Sequence, residues 1–174
     1  MVAARLIALS PAVLLAALVT LAGAAPARAD VSAERAARPW ATVNVCDTAG
    51  HPDGIGVRGS MPGTGDRRDA LSMRIELQYL RRSDGHWVRV GRAGDSGTLD
   101  VGHGDARVRQ AGRTFTIAPP HAGRPAHLLR ALVTFEWRRD GTLLRRARRV
   151  TRGGHADTPG ADPSGHSAAT CAIR

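Results

Sequence analysis

Apolar and polar residues alternate with a period of two over two long segments of this chain, and no other feature constrains the fold as strongly. Within residues 127–137, Leu129 and Trp137 share one face, whereas Glu136 lies on the opposite face. Residues 73–79 alternate in the same way. Successive side chains of a β-strand point to opposite sides, so both segments are predicted to be strands with one buried face.

The dipeptide Asp140-Gly141 directly follows the longer alternating segment and is typical of a tight β-hairpin turn. Glycine and aspartate tolerate the positive φ angles that a two-residue turn requires. Residues 143–151 are therefore predicted to return as a partner strand. This return strand is rich in arginine, so its register against the apolar segment decides where several positive charges lie.

Two registers of this hairpin are open from the sequence. A two-residue loop without a bulge places Arg146 opposite Phe135, whereas a three-residue loop with a bulge places Arg145 opposite Phe135 and Ala147 opposite Val133. In either register arginine interrupts an apolar face. An unpaired guanidinium is too costly to bury, so several of these side chains are predicted to reach solvent and to form a positive stripe along one side of the domain.

Shorter β patterns, separated by turns rich in Gly, Pro and Asp, occupy most of the remaining chain. The predicted strands are residues 40–46, 55–58, 73–79, 87–90, 98–101, 114–117, 127–137, 143–151 and 167–173. Seven to nine short strands predict an all-β domain, an antiparallel β-sandwich over residues 40–174, preceded by a flexible segment over residues 30–39. Residues 60–66 are predicted to be a loop, and residues 153–166, rich in Gly, Pro, Asp and His, a mobile loop.

The N-terminal segment has the pattern of a secretory signal peptide. Arg5 precedes a mainly apolar stretch over residues 6–24, and residues 27–29 read Ala-Arg-Ala. Small residues at these positions favour cleavage after Ala29. We therefore predict a helical signal peptide over residues 1–29 and a secreted mature protein without a transmembrane anchor. A permanent anchor is the alternative, although the apolar stretch is marginal for a spanning helix.

Cys46 and Cys171 are the only cysteines of the chain, and they lie near the two ends of the predicted domain. In an oxidising compartment such an isolated pair is predicted to form one structural disulfide. The alternatives are a metal site, which needs His partners nearby, and a redox-active pair, which favours C-x-x-C spacing.

The chain carries an excess of positive charge that comes entirely from arginine. Its formal net charge is +10, and loss of Arg5 and Arg28 with the signal peptide lowers this by 2, to +8. Such a surface attracts anionic polymers, so the candidate partners are an anionic envelope polymer or another extracellular protein. Few aromatic residues are present to stack on bases, which argues against specific nucleic-acid binding. The lack of lysine excludes a P-loop, Schiff-base catalysis and Ser-Lys dyads.

The residues 94–97, Gly-Asp-Ser-Gly, match the nucleophile motif of chymotrypsin-like proteases, with His51 as a candidate base and Asp66 or Asp69 as its orienting group. About 45 residues separate His51 from Ser96, too few to complete one β-barrel and enter a second. A small extracellular hydrolase that uses Ser96 and His51 is therefore the alternative function, and no catalytic residue is assigned.

Two groups of potential metal ligands occur in predicted loops. Asp47, His51 and Asp53 lie near the start of the domain, and His155 and Asp157 lie near its end. Scattered His and Asp side chains in loops are usually solvated, so no metal site is predicted. No cofactor motif is present, so no cofactor is predicted.

Three features of the sequence carry a family resemblance: residues 133–141 (VTFEWRRDG) with their arginine-rich return strand, the terminal cysteine pair, and residues 167–171 (SAATC). The pattern resembles immunoglobulin-like and fibronectin-like sandwiches, and more closely a group of secreted β-sandwich proteins from GC-rich bacteria. The resemblance covers most of residues 40–173 and implies an immunoglobulin-like antiparallel sandwich but no activity. Cys46 and Cys171 depart from the immunoglobulin pattern, because their spacing is far too wide for its usual inter-sheet pair.

The leading hypothesis is a secreted, non-enzymatic binding or structural domain that associates with an anionic cell-envelope surface through its arginine-rich hairpin. The arginines assigned to this surface are Arg138, Arg139, Arg145, Arg146, Arg148 and Arg149. One alternative is that these charges only solvate an edge strand and prevent edge-to-edge pairing. Another is a secreted protease inhibitor that presents residues 94–104 as an exposed loop.

The mature protein in the culture medium is expected to begin at Asp30, because Ala27 and Ala29 fit the small-residue preference of signal peptidase. Intact-mass measurement of the secreted protein checks this expectation. A variant with Ala27→Asp and Ala29→Asp is expected to remain unprocessed. Wild-type protein that stays in the membrane and still begins at Met1 would contradict the prediction.

Overall fold

The structure is a computed structural model that describes residues 38–174, and these residues form nine β-strands and one short 3-10 turn. The elements are β1 (Trp40–Thr48), β2 (His51–Pro62), β3 (Asp69–Arg81), β4 (His86–Arg89), the 3-10 turn (Arg92–Gly94), β5 (Asp95–His103), β6 (Val108–Thr116), β7 (His127–Arg139), β8 (Thr142–Val150) and β9 (Cys171–Ile173). No helix among residues 38–174 is long and apolar enough to cross a bilayer. The predicted signal peptide and most of the predicted flexible segment lie outside the described residues.

The strands form two antiparallel sheets. The small sheet has the order β1-β2-β6. In the large sheet β3 and β7 pair at the centre, the other side of β3 pairs with β4 and β5, and the other side of β7 pairs with β8 and β9. The prediction of an all-β fold with antiparallel sheets is confirmed.

One apolar core lies between the two sheets, and the alternating segments supply most of it. The inward side chains of β3 and β7 are all buried, namely Leu71, Met73, Ile75, Leu77, Leu129, Ala131, Val133, Phe135 and Trp137. Val43, Ile55, Val57, Met61 and Phe115 of the small sheet belong to the same core. The Trp137 indole N–H, itself buried, donates a 2.8 Å hydrogen bond to the Pro62 carbonyl oxygen, so its polar atom is satisfied across the two sheets.

Gly59 of β2 allows the two sheets to approach each other closely. A Cβ atom at this position would lie 2.9 Å from the Met73 sulfur and 3.2 Å from Cε1 of Phe135. Both distances are shorter than an ordinary van der Waals contact. A side chain on Gly59 would therefore displace two residues at the centre of the core.

The β7–β8 hairpin contains a bulge at a position that neither register from the sequence included. Asp140 and Gly141 have φ angles of 48° and 80°, as a two-residue hairpin turn requires. Next to the turn the pairing is regular, and it then shifts between Trp137 and Arg138. Leu144 is the extra residue of the bulge.

Beyond the bulge, Arg145 lies opposite Trp137, Arg146 opposite Glu136, and Ala147 opposite Phe135. Both predicted registers, which placed an arginine opposite Phe135, are therefore wrong. The physical reason is the cost of burial, because the bulge sets a methyl group rather than a guanidinium against Phe135, while Arg145 and Arg149 on the same face of β8 stay exposed.

The disulfide between Cys46 and Cys171 joins the two sheets. Its S–S distance is 2.07 Å and its Cα–Cα distance is 5.3 Å. Cys46 lies in β1 of the small sheet, whereas Cys171 begins β9 of the large sheet. The pairing predicted from the sequence is the one that the structure contains.

Residues 153–166 follow the outer edge of β1 instead of forming a strand. Just beyond this segment, Ala168 and Val43 exchange two backbone hydrogen bonds of 2.9 Å, and the Asp162 N–H donates to the Asn44 carbonyl oxygen at 2.9 Å. The segment therefore covers an edge that would otherwise expose unpaired backbone groups. Its mobility stays a prediction.

Two strands are longer than the sequence predicted: β2 extends into the predicted loop at 60–66, and β5 extends beyond the predicted strand at 98–101. Strand β2 continues through Ser60 to Pro62, so only the later part of the predicted loop at 60–66 lies outside a strand. Residues 95–103 form β5, which pairs with β3 over much of its length. The glycine-rich sequence misled the local prediction, because pairing with a long neighbouring strand outweighs the low strand propensity of glycine.

Reduction of the disulfide is expected to lower the free energy of unfolding by about 2–5 kcal/mol, because it releases a long closed loop in the unfolded chain. Urea unfolding of the oxidised and reduced proteins, followed by tryptophan fluorescence, measures this difference. A Cys46→Ser, Cys171→Ser variant is the matched control and should unfold like the reduced protein. Equal stability of all three proteins, or two freely alkylated thiols in the secreted protein, would contradict the prediction.

Candidate functional site

The outward face of the large sheet carries a depression lined by charged side chains. It consists of two adjoining cavities of about 260 and 310 Å³. The arginines of this surface, which we call the arginine depression, are Arg74, Arg89, Arg92, Arg146 and Arg148. The acidic residues are Glu76, Asp95 and Glu136. Most of its lining residues are therefore charged or polar.

The strand alternation explains why these residues share a face. Met73 and Ile75 point into the core, so Arg74 between them points outward. Pairing across the sheet places Arg74 opposite Thr134 of β7, and Thr134 lies opposite Arg148 of β8. The bulge is essential to this arrangement, since it moves Arg148 to the outward face.

Arg74 and Asp95 form the first ion pair of the depression. Nε of Arg74 donates to Oδ1 of Asp95 at 2.9 Å, and its terminal nitrogen donates to the second carboxylate oxygen. This hydrogen bonding from Arg74 lowers the pKa of Asp95 from 3.8 to about 2. The two-pronged contact fixes the guanidinium plane.

Glu76 is the most enclosed acid of the depression, with 8% of its surface exposed. Its carboxylate lies 3.2 Å from a guanidinium nitrogen of Arg89. Arg89 belongs to β4, which pairs with the far end of β3. A buried carboxylate requires such a partner, so Arg89 is held over the sheet by this contact.

Glu136 lies between two arginines of the hairpin. Its Oε1 accepts from Nε of Arg146 at 2.8 Å, and its Oε2 accepts from Nε of Arg138 at 2.9 Å. Burial raises the pKa of Glu136, but the hydrogen bonds from Arg146 and Arg138 outweigh it, so the pKa is lowered overall. Glu136 is therefore ionised at neutral pH and orients both arginines.

The depression contains more arginine than its acids neutralise. Within residues 38–174, Arg92 and Arg148 make neither an ion pair nor a side-chain hydrogen bond. Each acid of the depression already has an arginine partner. The surplus charge lies at opposite sides of the depression, on the turn after β4 and on the edge strand β8.

The six arginines assigned from the sequence do not form a single stripe. Arg146 and Arg148 face outward, whereas Arg145 lies opposite Trp137 and stacks over its ring at 4.7 Å. Arg149 lies opposite Val133 and donates to the backbone oxygen of Pro39 at 3.1 Å. The bulge and strand alternation divide these side chains between two faces.

Arg138 and Arg139 lie beside the turn and both have acidic partners. Arg138 contacts Glu136, and Nε of Arg139 donates to Oδ1 of the buried Asp69 at 2.6 Å. Arg139 also lies 2.9 Å from Asp66. Hydrogen bonding from Arg139 lowers the pKa of Asp69, so this pair anchors the turn end of the hairpin to the start of β3.

Three arginines and two acids of the site were missed by sequence reasoning: Arg74, Arg89, Arg92, Glu76 and Asp95. The alternation in residues 73–79 already predicted that Arg74 and Glu76 face away from the core. No local signal indicated that the hairpin would pair next to this strand, or that β4 would bring Arg89 and the following turn to the same face.

The residues of the hydrolase alternative are not brought together. His51 begins β2 of the small sheet, whereas Ser96 belongs to β5 of the large sheet. Ser96 Oγ accepts from the Ile75 N–H at 2.8 Å and donates to the Gly97 oxygen at 2.7 Å. His51 instead lies 3.0 Å from Asp162. Asp66 and Asp69, the candidate orienting groups, have arginine partners.

The residues of the possible metal site are dispersed in the same way. Asp47 accepts a hydrogen bond from the Asp53 N–H at 3.0 Å, and His155 stacks on Trp40 with ring centroids 4.1 Å apart. Burial lowers the pKa of His155. Among residues 38–174, no group of three or more His, Cys, Asp or Glu side chains is arranged to hold a metal ion.

The exposed inhibitor loop proposed for residues 94–104 is also not present as a loop. The pairing of β5 with β3 holds this segment against the large sheet, with Arg74 opposite Thr98 and Met73 opposite Leu99. A protease-binding loop must instead project from its scaffold to enter an active site.

Comparisons with known proteins add little. No protein-family model matches the chain, and no curated protein matches it. Among the solved structures that match is the Pseudomonas fluorescens alkylpurine DNA glycosylase AlkC bound to DNA containing an abasic site analog, at 14% sequence identity and a TM-score of 0.30. The match covers 65% of this chain and 29% of that protein. So weak a likeness carries no inference about fold or function.

Acid is expected to weaken the fold partly through Asp95. Because its pKa is lowered from 3.8 to about 2, its contribution to stability is complete above pH 3.8 and is lost as the pH falls through 2. In Arg74→Gln the pKa of Asp95 should return toward 3.8, so the stability lost between pH 5 and pH 2 should shrink. Urea unfolding at these two pH values measures the loss.

Arg113→Gln is the matched control for this experiment, because Arg113 lies on the small sheet and has no carboxylate partner within the described chain. It should keep the wild-type pH dependence. Asp66 and Asp84 also have pKa values of about 2. Arg74→Gln should therefore still lose some free energy of unfolding between pH 5 and pH 2. If Arg74→Gln loses as much free energy of unfolding between pH 5 and pH 2 as wild type does, the Arg74–Asp95 pair does not contribute to the acid sensitivity.

Proposed function

We propose that this protein is an exported, non-enzymatic binding domain of immunoglobulin-like sandwich form, held on an anionic surface of the cell envelope by the arginine depression. The observation that carries the proposal is the surplus of arginine on one face. Every acid there already has an arginine partner, and Arg92 and Arg148 remain free to receive an external anion.

The paired arginines support the same function through preorganisation. Carboxylates orient Arg74, Arg89 and Arg146, yet each of these side chains is still about half exposed to solvent or more. A guanidinium has five N–H donors and can hold a carboxylate while it donates to a second oxyanion. Since these side chains are already ordered, anion binding costs less conformational entropy.

The geometry favours an extended anionic surface over a small charged metabolite. The depression is open and shallow, and it crosses strands β8, β7 and β3 before it reaches the turn after β4. Neighbouring strands lie about 4.8 Å apart, so free arginines on opposite sides are separated by roughly 15 Å. A repeating anionic surface can contact both of them, whereas one phosphate or carboxylate cannot.

Replacing the two free arginines tests the proposal with little risk to the fold. Arg92→Gln with Arg148→Gln removes two positive charges but no ion pair within the described chain. Each arginine near an anionic surface contributes about 1 kcal/mol, so binding to isolated envelopes should weaken at least about tenfold. Sedimentation with envelopes at low salt and at 0.5 M salt measures the effect, and salt should weaken wild-type binding by screening.

Arg113→Gln with Arg124→Gln is the matched control, because it removes the same charge from two free arginines outside the depression. This variant should bind nearly as well as wild type. Equal loss in both variants would mean that only net charge matters. No loss in either variant would mean that the arginines merely solvate the sheet and its edge, and salt-resistant binding would indicate a protein partner.

A further inference from the structure

The tip of the β7–β8 hairpin exposes two adjacent leucines. Leu143 is 39% exposed and Leu144 is 50% exposed. The other large apolar side chain with comparable exposure in the described residues is Val108, at 37%, which lies on β6 of the small sheet. Single exposed apolar residues are common, but two neighbours on an edge strand beside the turn form a small apolar surface.

The bulge explains why both leucines are exposed. In a regular strand, consecutive side chains point to opposite faces, and one of the two would lie over the core. Leu144 is the extra residue between the Arg138–Leu143 and Trp137–Arg145 pairs, so it has no directly opposite neighbour. The bulge explains why the side chain is exposed, but it does not require leucine, because a polar residue would fit the same position.

Arginines surround the two leucines. The Arg138 guanidinium donates to the Gly141 carbonyl oxygen at 2.8 Å, which holds it at the turn. Arg139, beside the turn, is partnered with Asp66 and Asp69 and still has 36% of its side chain exposed. Arg145 lies over Trp137. Residues 138–145 contain three arginines and one acid, Asp140, a formal charge of +2, and Glu136, Asp66 and Asp69 pair with Arg138 and Arg139 from outside this segment.

We infer that this tip enters the headgroup region of an anionic phospholipid bilayer, with Leu143 and Leu144 against the acyl chains and the arginines on the lipid phosphates. The inference rests on the proposed function and names its surface. Apolar side chains ringed by basic residues are the chemistry of interfacial membrane binding. Arginine hydrogen-bonds phosphate through two nitrogens.

The shape of the tip distinguishes a bilayer from a protein partner. A stable protein interface needs about 800 Å² on each partner, and two partly exposed leucines at the start of β8 provide much less apolar area. A fluid headgroup layer needs no complementary surface. The arginine depression follows directly along β8, with Arg146 and Arg148 two and four residues after Leu144, so the same approach adds positive charge close to the anionic surface.

Vesicle sedimentation tests the inference with the mature protein. Wild type should bind vesicles of phosphatidylglycerol and phosphatidylcholine in equal parts, and bind pure phosphatidylcholine weakly. Leu143→Gln with Leu144→Gln should bind the anionic vesicles about tenfold more weakly or worse, because burial of leucine side chains in an apolar phase is favourable. Val108→Gln is the matched control and should bind like wild type.

A second measurement reports insertion directly. In Leu144→Trp, lipids brominated on their acyl chains should quench the new tryptophan strongly, whereas in Val108→Trp the added fluorescence should be unaffected. Thermal unfolding of each variant confirms that its fold is intact. Absence of quenching in Leu144→Trp, or vesicle binding by the leucine variant that equals wild type, would overturn the inference.

Failure of this inference and failure of the proposed function have different signatures. If wild type binds envelopes through Arg92 and Arg148 but does not bind anionic vesicles, the bilayer is wrong and an anionic polymer is the surface. If the arginine variant binds envelopes as well as its matched control does, the proposed function is wrong whatever the leucines do.

Discussion

The cost of burying an unpaired guanidinium is the constraint on which the rest of this structure depends. Strand β7 is apolar on its inner face, and its hairpin partner β8 is rich in arginine. The bulge at Leu144 resolves this conflict, because it brings Ala147 opposite Phe135 and leaves Arg146 opposite Glu136. One extra residue thereby sets alanine against Phe135, places Arg146 and Arg148 rather than Arg145 and Arg149 on the outward face, and exposes the leucines of the tip.

Carboxylates then determine how the outward arginines are arranged. Glu136 holds Arg146, and Asp95 holds Arg74. Isolated surface ion pairs contribute little to stability, so their main consequence here is order: they fix guanidinium planes along the sheet. The arginines without a carboxylate, including Arg148, give the face its net positive charge. The ion pairs therefore order the side chains of this face, and the arginines without a carboxylate give it a positive charge that attracts anions.

The two edges beside the core are treated differently. The outer edge of β1 is covered by the segment that leads to Cys171, and the disulfide with Cys46 holds that segment's end between the sheets. Strand β8 remains an open edge of the large sheet. Its arginines discourage pairing with another strand, which leaves this side of the domain accessible. One edge of the domain is therefore protected from strand pairing by a covering segment, and the other by charge.

The sequence by itself determined what local chemistry controls. The period-two alternation identified the central strands, Asp140-Gly141 identified the turn, and the isolated cysteines identified the disulfide. Tertiary structure decided the register of β8 and the partners of Arg74, because these depend on how well a whole side-chain layer packs and on strands distant in sequence. A bulge has almost no local signature, yet a shift of one residue reverses every side chain beyond it. For that reason the strands could be predicted from the sequence, and the face that carries the arginines could not.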